Sequence, residues 1–536
     1  RALVEAETAA RLQPDHAKAL RLLGSLYQQA GRHEDALAAL QGAVSYDDQD
    51  ALTYQLLATV QAALGQQSAA AQSSQRAIDL VQRALAQEGA DAYTLQLTLG
   101  DAYVGASRYP EAIAAYQEAA RLRPESATAH RGLGNAYYWQ GELEPALAEY
   151  REAATLAPED PAAHLLTGLI QAQTGDLNGA IASQETAARL SQCDPAPHLL
   201  LGGLYFDQGD YAKAAAAYET ALSLDSTNAD AWYVLAGLRY EIGEMATAAQ
   251  AAQEAANRAP DMLEAQRLLA ETRLSLDDAT AALPAAEAAV RLAPDDPTTH
   301  ALLGDVRLNL EQWQEAAAAY EASLALSDDA NTHILAGSAR QQLGELDAAI
   351  AHYQAAVALD PSAGLAWQSL GNAQQQQGRL ADAAAAFERA LALEDNALAR
   401  SQLGGILLQQ GELTGAISQY ERAAELDPQE PRYQVRLGSL YASRGDLAQA
   451  EAAFQAALAS DANNAEAYAG LADAAYRQCR VNVAVQAIAT AAGLSAAYRT
   501  PLPALYEAQG RTADAESLYA ELEAAPAEDW LAHLTL

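Results

Sequence analysis

The sequence is poor in cysteine, phenylalanine and lysine, and these shortages exclude several classes of protein. Its 536 residues include 2 Cys and 3 Phe, and Lys18 and Lys213 are its only lysines. Two cysteines as far apart as Cys193 and Cys479 cannot build a disulfide framework. No apolar run reaches the length of about 18 residues that a membrane-spanning helix needs, so the sequence encodes no such helix.

Negative charge dominates the composition, because 70 Asp and Glu residues outnumber 32 Lys and Arg residues and give a formal charge of −38. A protein that binds the phosphate backbone needs clusters of basic side chains, so nucleic acid is not an expected partner. Membrane insertion is not expected either. A strongly acidic surface keeps a long chain soluble through self-repulsion, and we assign the charge to that role.

The stretch LGNAYYWQGELEPALAEYREAATLAP, at 133–158, predicts a hairpin of two helices. Gly134 and Tyr137 lie on one face of the first helix, with apolar neighbours at the spacing of an amphipathic helix. Gly141 marks the end of that helix, where the left-handed conformation that glycine adopts easily is common. Pro158 closes the unit, because proline cannot continue a helix.

The hairpin recurs along the whole chain, most often every 34 residues. Fifteen copies begin at residues 17, 51, 93, 127, 161, 195, 229, 263, 297, 330, 364, 397, 431, 465 and 496. All fifteen have alanine where the second helix crosses the first: Ala36, Ala70, Ala112, Ala146, Ala180, Ala214, Ala248, Ala282, Ala316, Ala349, Ala383, Ala416, Ala450, Ala484 and Ala515. Ten have glycine at the crossing point of the first helix. A single hairpin leaves two apolar flanks exposed, so neighbouring hairpins must stack to bury them.

This pattern resembles the tetratricopeptide repeat family, whose Trp–Leu–Gly–Tyr, Ala, Tyr/Phe, Ala and Pro positions match these offsets over nearly the whole chain. The resemblance implies an all-α fold: a right-handed superhelical solenoid of stacked antiparallel hairpins, with the first helices lining a concave groove. We therefore expect residues 1–536 to form a single solenoid without a second domain, and 17–529 to hold its fifteen repeats.

The repeat pattern is interrupted in a few places. About eight extra residues near 81–92 predict two additional turns on a second helix. Pro503 replaces the crossing glycine, so the last repeat is expected to be irregular. Residues 1–16 match the second half of a hairpin, and 530–536 match the start of a further repeat, with Trp530 in its aromatic position.

The sequence contains no motif that indicates catalysis. It has no phosphate-binding loop, dinucleotide fingerprint, paired-cysteine metal motif or nucleophile elbow. Acidic pairs such as Asp47–Asp48 and Asp295–Asp296 fall at hairpin ends, where carboxylates commonly cap helices. We therefore predict that the protein is not an enzyme and has no cofactor, metal site or catalytic residue.

His130, His164 and His198 occupy the same first-helix position in three successive repeats, where the family usually has a large aromatic residue. We interpret them chiefly as half-buried packing residues. Equivalent atoms in stacked hairpins lie about a helix diameter, or 10 Å, apart, which is too far to share a metal ion. The functional alternative is a pH response, since histidine is the side chain that titrates near neutral pH.

A second stripe on the first helices, offset from the packing face, is predicted to line a binding groove. Over the repeats from 127 to 229 it is unusually apolar: Arg131, Asn135, Tyr138, Trp139, Leu165, Leu169, Leu199, Phe206, Tyr233 and Tyr240. Farther along the chain it becomes rich in amides: Gln341, Gln368, Asn372 and Gln375. Amides both donate and accept hydrogen bonds, which suits an extended peptide backbone or a glycan.

These observations favour a non-catalytic scaffold for protein–protein interaction or assembly, which binds a protein or an extended peptide through its groove or its ends. Two alternatives stay open. One is a structural subunit of a filament built from copies stacked end to end, which would fit an extracellular, glycan-decorated protein. The other is the non-catalytic arm of a larger enzyme such as a glycosyltransferase. No targeting segment is visible in this fragment, so cytoplasmic and extracellular locations both stay open.

Overall fold

The computed structural model describes residues 2–87, 89 and 91–523, and this part of the chain is built from α-helices without any strand. The all-α prediction of paired helical hairpins is confirmed. The chain divides into two compact units, Arg1–Leu268 and Leu269–Leu536, and each is described by itself. The predicted start of a further repeat at 530–536, with Trp530, lies outside the described residues.

The first unit opens with a single helix and continues as helix pairs. Its helices are α1 Ala2–Leu12, α2 Ala17–Gln29, α3 His33–Tyr46, α4 Ala51–Ala63, α5 Gln67–Leu85, α6 Ala92–Gly105, α7 Tyr109–Leu122, α8 Ala127–Gln140, α9 Leu143–Leu156, α10 Pro161–Gln173, α11 Leu177–Leu190, α12 Ala196–Asp207, α13 Tyr211–Leu224, α14 Ala229–Glu241 and α15 Met245–Arg258. The division between the units falls within α16, Leu263–Leu274.

The second unit follows the same plan until its last hairpin. Its helices are α17 Ala279–Leu292, α18 Pro297–Asn309, α19 Trp313–Leu326, α20 Ala330–Gln342, α21 Leu346–Leu359, α22 Gly364–Gln376, α23 Leu380–Leu393, α24 Ala397–Gln409, α25 Leu413–Leu426, α26 Pro431–Arg444, α27 Leu447–Ser460, α28 Ala465–Arg477, α29 Val481–Leu494, α30 Leu502–Ala508 and α31 Thr512–Glu523. A 3₁₀ turn at Ala496–Tyr498 precedes α30.

Local sequence determines where these helices begin and end. The Ser126 hydroxyl accepts a hydrogen bond from the Ala129 N–H at 3.1 Å, and the Asn228 side chain accepts one from the Ala231 N–H at 2.9 Å. Each bond satisfies a backbone donor that the helix cannot satisfy itself. Gly141 ends α8 in the left-handed conformation, with φ at 88°. Four turns reach the same region without glycine, at Ser107, Asp277, Glu311 and Cys479.

Aromatic rings explain the small residues at the helix crossings. All fifteen alanines are at most 4% exposed. A Cβ added to Gly134 would lie 2.7 Å from the Tyr150 ring, and one added to Gly304 would lie 2.5 Å from the Tyr320 ring. The glycine therefore makes room for a ring that follows it by sixteen residues, in the second helix of the same hairpin.

Two interruptions of the repeat have local structural consequences. Helix α5 has 19 residues, whereas α7 has 14, so the insertion lengthens the helix by about one and a half turns at 3.6 residues per turn. The remaining inserted residues precede the N-cap Asp91. In the last hairpin, where Pro501 and Pro503 lie, the first helix is shortened to the 7 residues of α30.

A repeated polar contact links many of the first helices to the second helix that precedes them. A Tyr or Arg on a first helix meets a Glu or Gln on the preceding second helix, about twenty residues earlier in the chain. The pairs are Tyr27–Glu7, Tyr103–Gln82, Tyr137–Gln117, Tyr205–Glu185, Arg239–Glu219, Arg307–Glu287, Arg340–Glu321 and Tyr441–Glu421. Polar contacts therefore supplement apolar packing between successive hairpins.

Candidate functional site

The predicted groove residues all lie on first helices, and first helices contact one another within each unit: α6 contacts α8, α10 contacts α12, and α20 contacts α22. We call the ten residues from Arg131 to Tyr240, on α8, α10, α12 and α14, the aromatic face. We call Gln341, Gln368, Asn372 and Gln375, on α20 and α22, the amide face.

Trp139 and Phe206 are the most exposed members of the aromatic face. Their side chains are 60% and 50% exposed. The Trp139 ring packs edge-on against Tyr138, with ring centroids 5.4 Å apart, and the Phe206 ring lies 5.5 Å from that of Tyr211. Each exposed ring is thus held in place by a neighbouring ring, and a fixed aromatic surface loses little conformational entropy when a partner covers it.

The other apolar members of the aromatic face are half-buried: Leu165, Leu169, Leu199, Tyr138, Tyr233 and Tyr240. The Gln173 amide donates to the Tyr138 hydroxyl at 3.4 Å, which links α10 to α8 along this side. Beside Phe206, the turn between α12 and α13 borders an open cleft of about 610 Å³, with Tyr211 and Lys213 in its lining. Apolar surface and an adjoining cleft thus occur together around α12.

Arg131 and Asn135 are engaged within the protein. The Arg131 guanidinium donates to the Asp160 carboxylate at 2.7 Å. The Asn135 carbonyl accepts a hydrogen bond from the Tyr150 hydroxyl at 2.7 Å. Burial raises the pKa of Tyr150, so this hydroxyl keeps its proton and acts as the donor. Both groups thus position neighbouring side chains, and a carboxylate ligand would have to compete with these internal contacts.

Two carboxyl groups take the place of Asn135 in other hairpins, and they were not predicted from the sequence. The Tyr116 hydroxyl donates to Asp101, and the Tyr320 hydroxyl donates to Asp305 at 2.7 Å. Burial raises the pKa of both carboxyl groups, although the tyrosine bonds act in the opposite direction. The signal was present in the sequence, since each Asp precedes a second-helix Tyr by fifteen residues.

The amide face is partly satisfied by internal hydrogen bonds. The Gln341 carbonyl accepts from the Tyr353 hydroxyl at 2.9 Å, and the Asn372 carbonyl accepts from the Gln402 amide at 3.1 Å. Gln368 and Gln375 are half-buried. The internal bonds use carbonyl oxygens of Gln341 and Asn372, and therefore leave their amide N–H groups as donors for a ligand.

The three predicted histidines are all half-buried. His130 contacts the Glu149 carboxylate through Nδ1 at 2.7 Å and the Pro124 carbonyl through Nε2 at 3.3 Å. His164 Nε2 lies 3.0 Å from the Pro158 carbonyl. His198 is on α12, one position nearer to the start of its helix than the other two are. The proposed pH response of His130, His164 and His198 stays a prediction.

The contact from this position to a loop carbonyl recurs with other residue types. The Trp232 indole donates to the Ser226 carbonyl, and the Trp367 indole to the Pro361 carbonyl, each at 3.0 Å. His300 Nε2 lies 2.8 Å from the Pro294 carbonyl. A ring N–H that reaches back six residues thus fixes the loop between hairpins, which explains why histidine can replace the family's aromatic residue.

A second apolar cleft lies where the last hairpin departs from the repeat. It has a volume of about 350 Å³, and its lining includes Tyr476, Ile488, Tyr498 and Leu505. Tyr476 is 50% exposed. The cleft follows from the shortened first helix, and sequence reasoning, which anticipated the irregularity from Pro503, did not anticipate a cavity.

In the part of the chain that the structure describes, no group of three or more His, Cys, Asp or Glu side chains is arranged to hold a metal ion. Among the helices described above, none combines the length and the hydropathy needed to cross a membrane.

Family comparisons match most of the chain. A family model described as tetratricopeptide repeat matches residues 1–51, 97–161, 140–195, 267–331, 369–431 and 435–498. A second model, described as TPR repeat, matches 202–243 and 337–378. These ranges cover more than half of the sequence and span both units.

Several solved structures share the fold at low identity. The crystal structure of the APC/C hetero-tetramer Cut9–Hcn1 is 15% identical, with a TM-score of 0.34, and the match covers 85% of this chain and 96% of that one. Naa15/Naa10 bound to HypK-THB is 16% identical, with a TM-score of 0.32 and coverage of 97% and 96%. YrrB, a TPR protein with an unusual peptide-binding site, is 24% identical, with a TM-score of 0.31 and coverage of 33% and 93%. No curated protein sequence matches the chain.

Proposed function

Because the chain belongs to the tetratricopeptide repeat family, we propose that it is a non-catalytic scaffold that binds a partner protein through the aromatic face. The observation that carries the proposal is the exposure of Trp139 and Phe206, at 60% and 50%, on helices whose other surfaces pack against neighbouring helices. Exposed aromatic side chains are the usual anchors of protein interfaces, and a contiguous exposed apolar surface commonly marks an interaction site.

The negative charge of the chain limits the class of partner protein that we propose. The chain carries a net charge of −38, and the residue after Phe206 is the exposed Asp207, while Glu241 is exposed directly after Tyr240. Complementary charge accelerates association and discourages wrong partners. The partner segment we propose therefore presents apolar or aromatic side chains flanked by Lys or Arg, and its binding weakens with salt.

Neither the filament nor the enzyme arm is favoured over the scaffold. Stacking of copies end to end, decoration with glycans and attachment to a transferase domain find no support in the contacts of the described residues.

The amide face is the second surface on which an extended segment could form hydrogen bonds, through the donors of Gln341 and Asn372.

A random peptide library displayed on phage tests the aromatic face. We expect selected peptides to contain aromatic or long apolar side chains with basic neighbours. The double variant Trp139→Ala, Phe206→Ala should weaken their binding at least about tenfold, or ~1.4 kcal/mol, with the helical circular dichroism retained.

Tyr46→Ala is the matched control, since Tyr46 is 57% exposed at the end of a second helix, away from the aromatic face. Its binding should equal that of the unchanged protein. Equal binding by the double variant, or an equal loss in the control, would contradict the proposal.

A further inference from the structure

His333 on α20 and His352 on α21 face each other within one hairpin of the second unit. Their Nδ1 atoms are 2.9 Å apart, and the ring centroids are 5.2 Å apart. The side chains are only 14% and 17% exposed. Because both rings are largely shielded from water, the protons that they carry determine whether this contact attracts or repels.

Charged groups from three directions complete the cluster. His333 Nε2 lies 2.8 Å from Asp328 in the loop after α19, and His352 Nε2 lies 3.5 Å from Glu321 on α19. Arg340 on α20 donates to the same Glu321 oxygen at 2.6 Å and to Glu345, at the start of α21, at 2.7 Å. These two carboxylates beside the histidines, with Arg340 and Glu345, are the charged groups that face the pair.

Proton positions follow from these contacts. With its proton on Nε2, His352 faces Glu321 with a hydrogen and presents the lone pair of Nδ1 to its partner. His333 then donates from Nδ1 to His352 and from Nε2 to Asp328. All three contacts are satisfied when the two rings together hold three protons on their four nitrogens. A fourth proton would place two N–H groups against each other across 2.9 Å.

We infer that His333 and His352 form a proton-sensitive contact, which holds α20 against α21 while the pair carries no more than three ring protons and is released by the fourth. Like charges that share a buried site cannot both form without a large energetic cost. The helix that this contact holds, α20, also carries Gln341 of the amide face. Acid would therefore loosen this hairpin and disturb the amide face there, while the hairpin of α24 and α25, which has no such pair, stays closed.

The direction of the effect follows from His352. Burial, the neighbouring His333 and Arg340 all lower the pKa of His352, and Glu321 opposes them. A base whose pKa is lower in the folded state binds fewer protons there than in the unfolded state. Its contribution to stability is therefore present above the unfolded value of about 6.5, and is lost as the pH falls below that value towards the folded pKa.

The second unit contains a natural control that does not titrate in this range. In the hairpin of α24 and α25, Arg400 donates to the Gln419 carbonyl at 2.8 Å and to Asp395 at 2.8 Å. These residues have the same spacing as His333, His352 and Asp328. Arg400 and Gln419 thus make the same two contacts as the histidine pair, and neither side chain can gain a proton in this pH range.

Hydrogen exchange of the full chain, compared at about pH 7 and about pH 5 and corrected for intrinsic exchange rates, tests the inference. We expect peptides from α20 and α21 to lose protection as the pH falls below about 6.5, by at most about tenfold for each pH unit. Peptides from α24 and α25 should keep their protection. Equal changes in the two hairpins would overturn the inference.

The double variant His333→Arg, His352→Gln transfers the control pair to this hairpin. It should keep protection at neutral pH and lose the acid response. The single variant His352→Gln, which keeps an acceptor for the His333 donor, serves as a second test if the double variant is poorly folded. An acid response that persists in either folded variant would also overturn the inference.

Discussion

Tyr116, Tyr150 and Tyr320 show how one buried hydroxyl constrains the residue opposite it. Each ring lies in the core of its hairpin while its hydroxyl reaches a first helix, where it donates to Asp101, Asn135 or Asp305. A buried hydroxyl needs an acceptor, and either an amide or a carboxylate provides one. The carboxylate costs more, because burial disfavours its charged form.

Asp305→Asn should therefore stabilise the protein at neutral pH. Burial raises the pKa of Asp305, so its favourable contribution is greatest below the unfolded value of about 3.9 and is lost as the pH rises through the folded value. We expect a higher urea midpoint for the variant near pH 7, and a difference that shrinks as the pH approaches 4. The opposite change, Asn135→Asp, should lower the midpoint at neutral pH. A variant as stable as the parent at both pH values would contradict the argument.

At the level of the helix pair, the sequence was sufficient to predict the fold. The spacing of Gly134, Gly141 and Ala146 predicts two helices, a left-handed turn and a close crossing, and the structure has all three. These features depend on contacts within about twenty residues, so a short stretch of sequence encodes them. The predicted length of the insertion was less accurate, because helix ends depend on caps such as Asp91 and not on apolar spacing.

The candidate site was harder to predict, because the partners of its side chains lie about twenty to thirty residues away in the sequence. Arg131 was predicted as a groove residue, but its bond to Asp160 depends on the position of the loop that precedes α10. The pair of His333 and His352 was missed because nineteen residues separate them, and apolar periodicity carries no signal for a polar contact. Exposure of Trp139 was anticipated, since a residue offset from the packing face has no neighbour to cover it.

Substitutions at two adjacent glycines in α12 distinguish two effects on stability: overpacking at the helix crossing and helix propensity. A Cβ at Gly202 would lie 2.5 Å from the Tyr218 ring, whereas a Cβ at Gly203 would meet no atom within 4 Å. Gly202→Ala should therefore cost about 1–3 kcal/mol through overpacking. Gly203→Ala should gain up to about 1 kcal/mol from helix propensity. Chemical denaturation measures both, and the same sign for both variants would contradict the role assigned to the ring.

At the scale of the whole molecule, contacts between the described helices of each unit are local in sequence. Helices contact the one or two helices that follow them, and the polar pairs between hairpins span about twenty residues. In such an array, stability is approximately a sum of terms for each repeat and for the interface between neighbours. The charge of −38 adds a repulsion that acts along the chain and weakens as salt screens it.

Because contacts are local, a destabilising substitution in the first unit should affect the stability of nearby helices only. Gly202→Ala strains the hairpin of α12 and α13, whose direct neighbours are α10, α11 and α14. We expect hydrogen exchange to accelerate in α10 to α14, while α2 and α3 keep the protection that they have in the parent protein. Gly203→Ala provides the control, since it should leave all of these helices protected. If α2 and α3 lost protection as much as α12, the first unit would open as one cooperative domain, and nearest-neighbour coupling would not describe it.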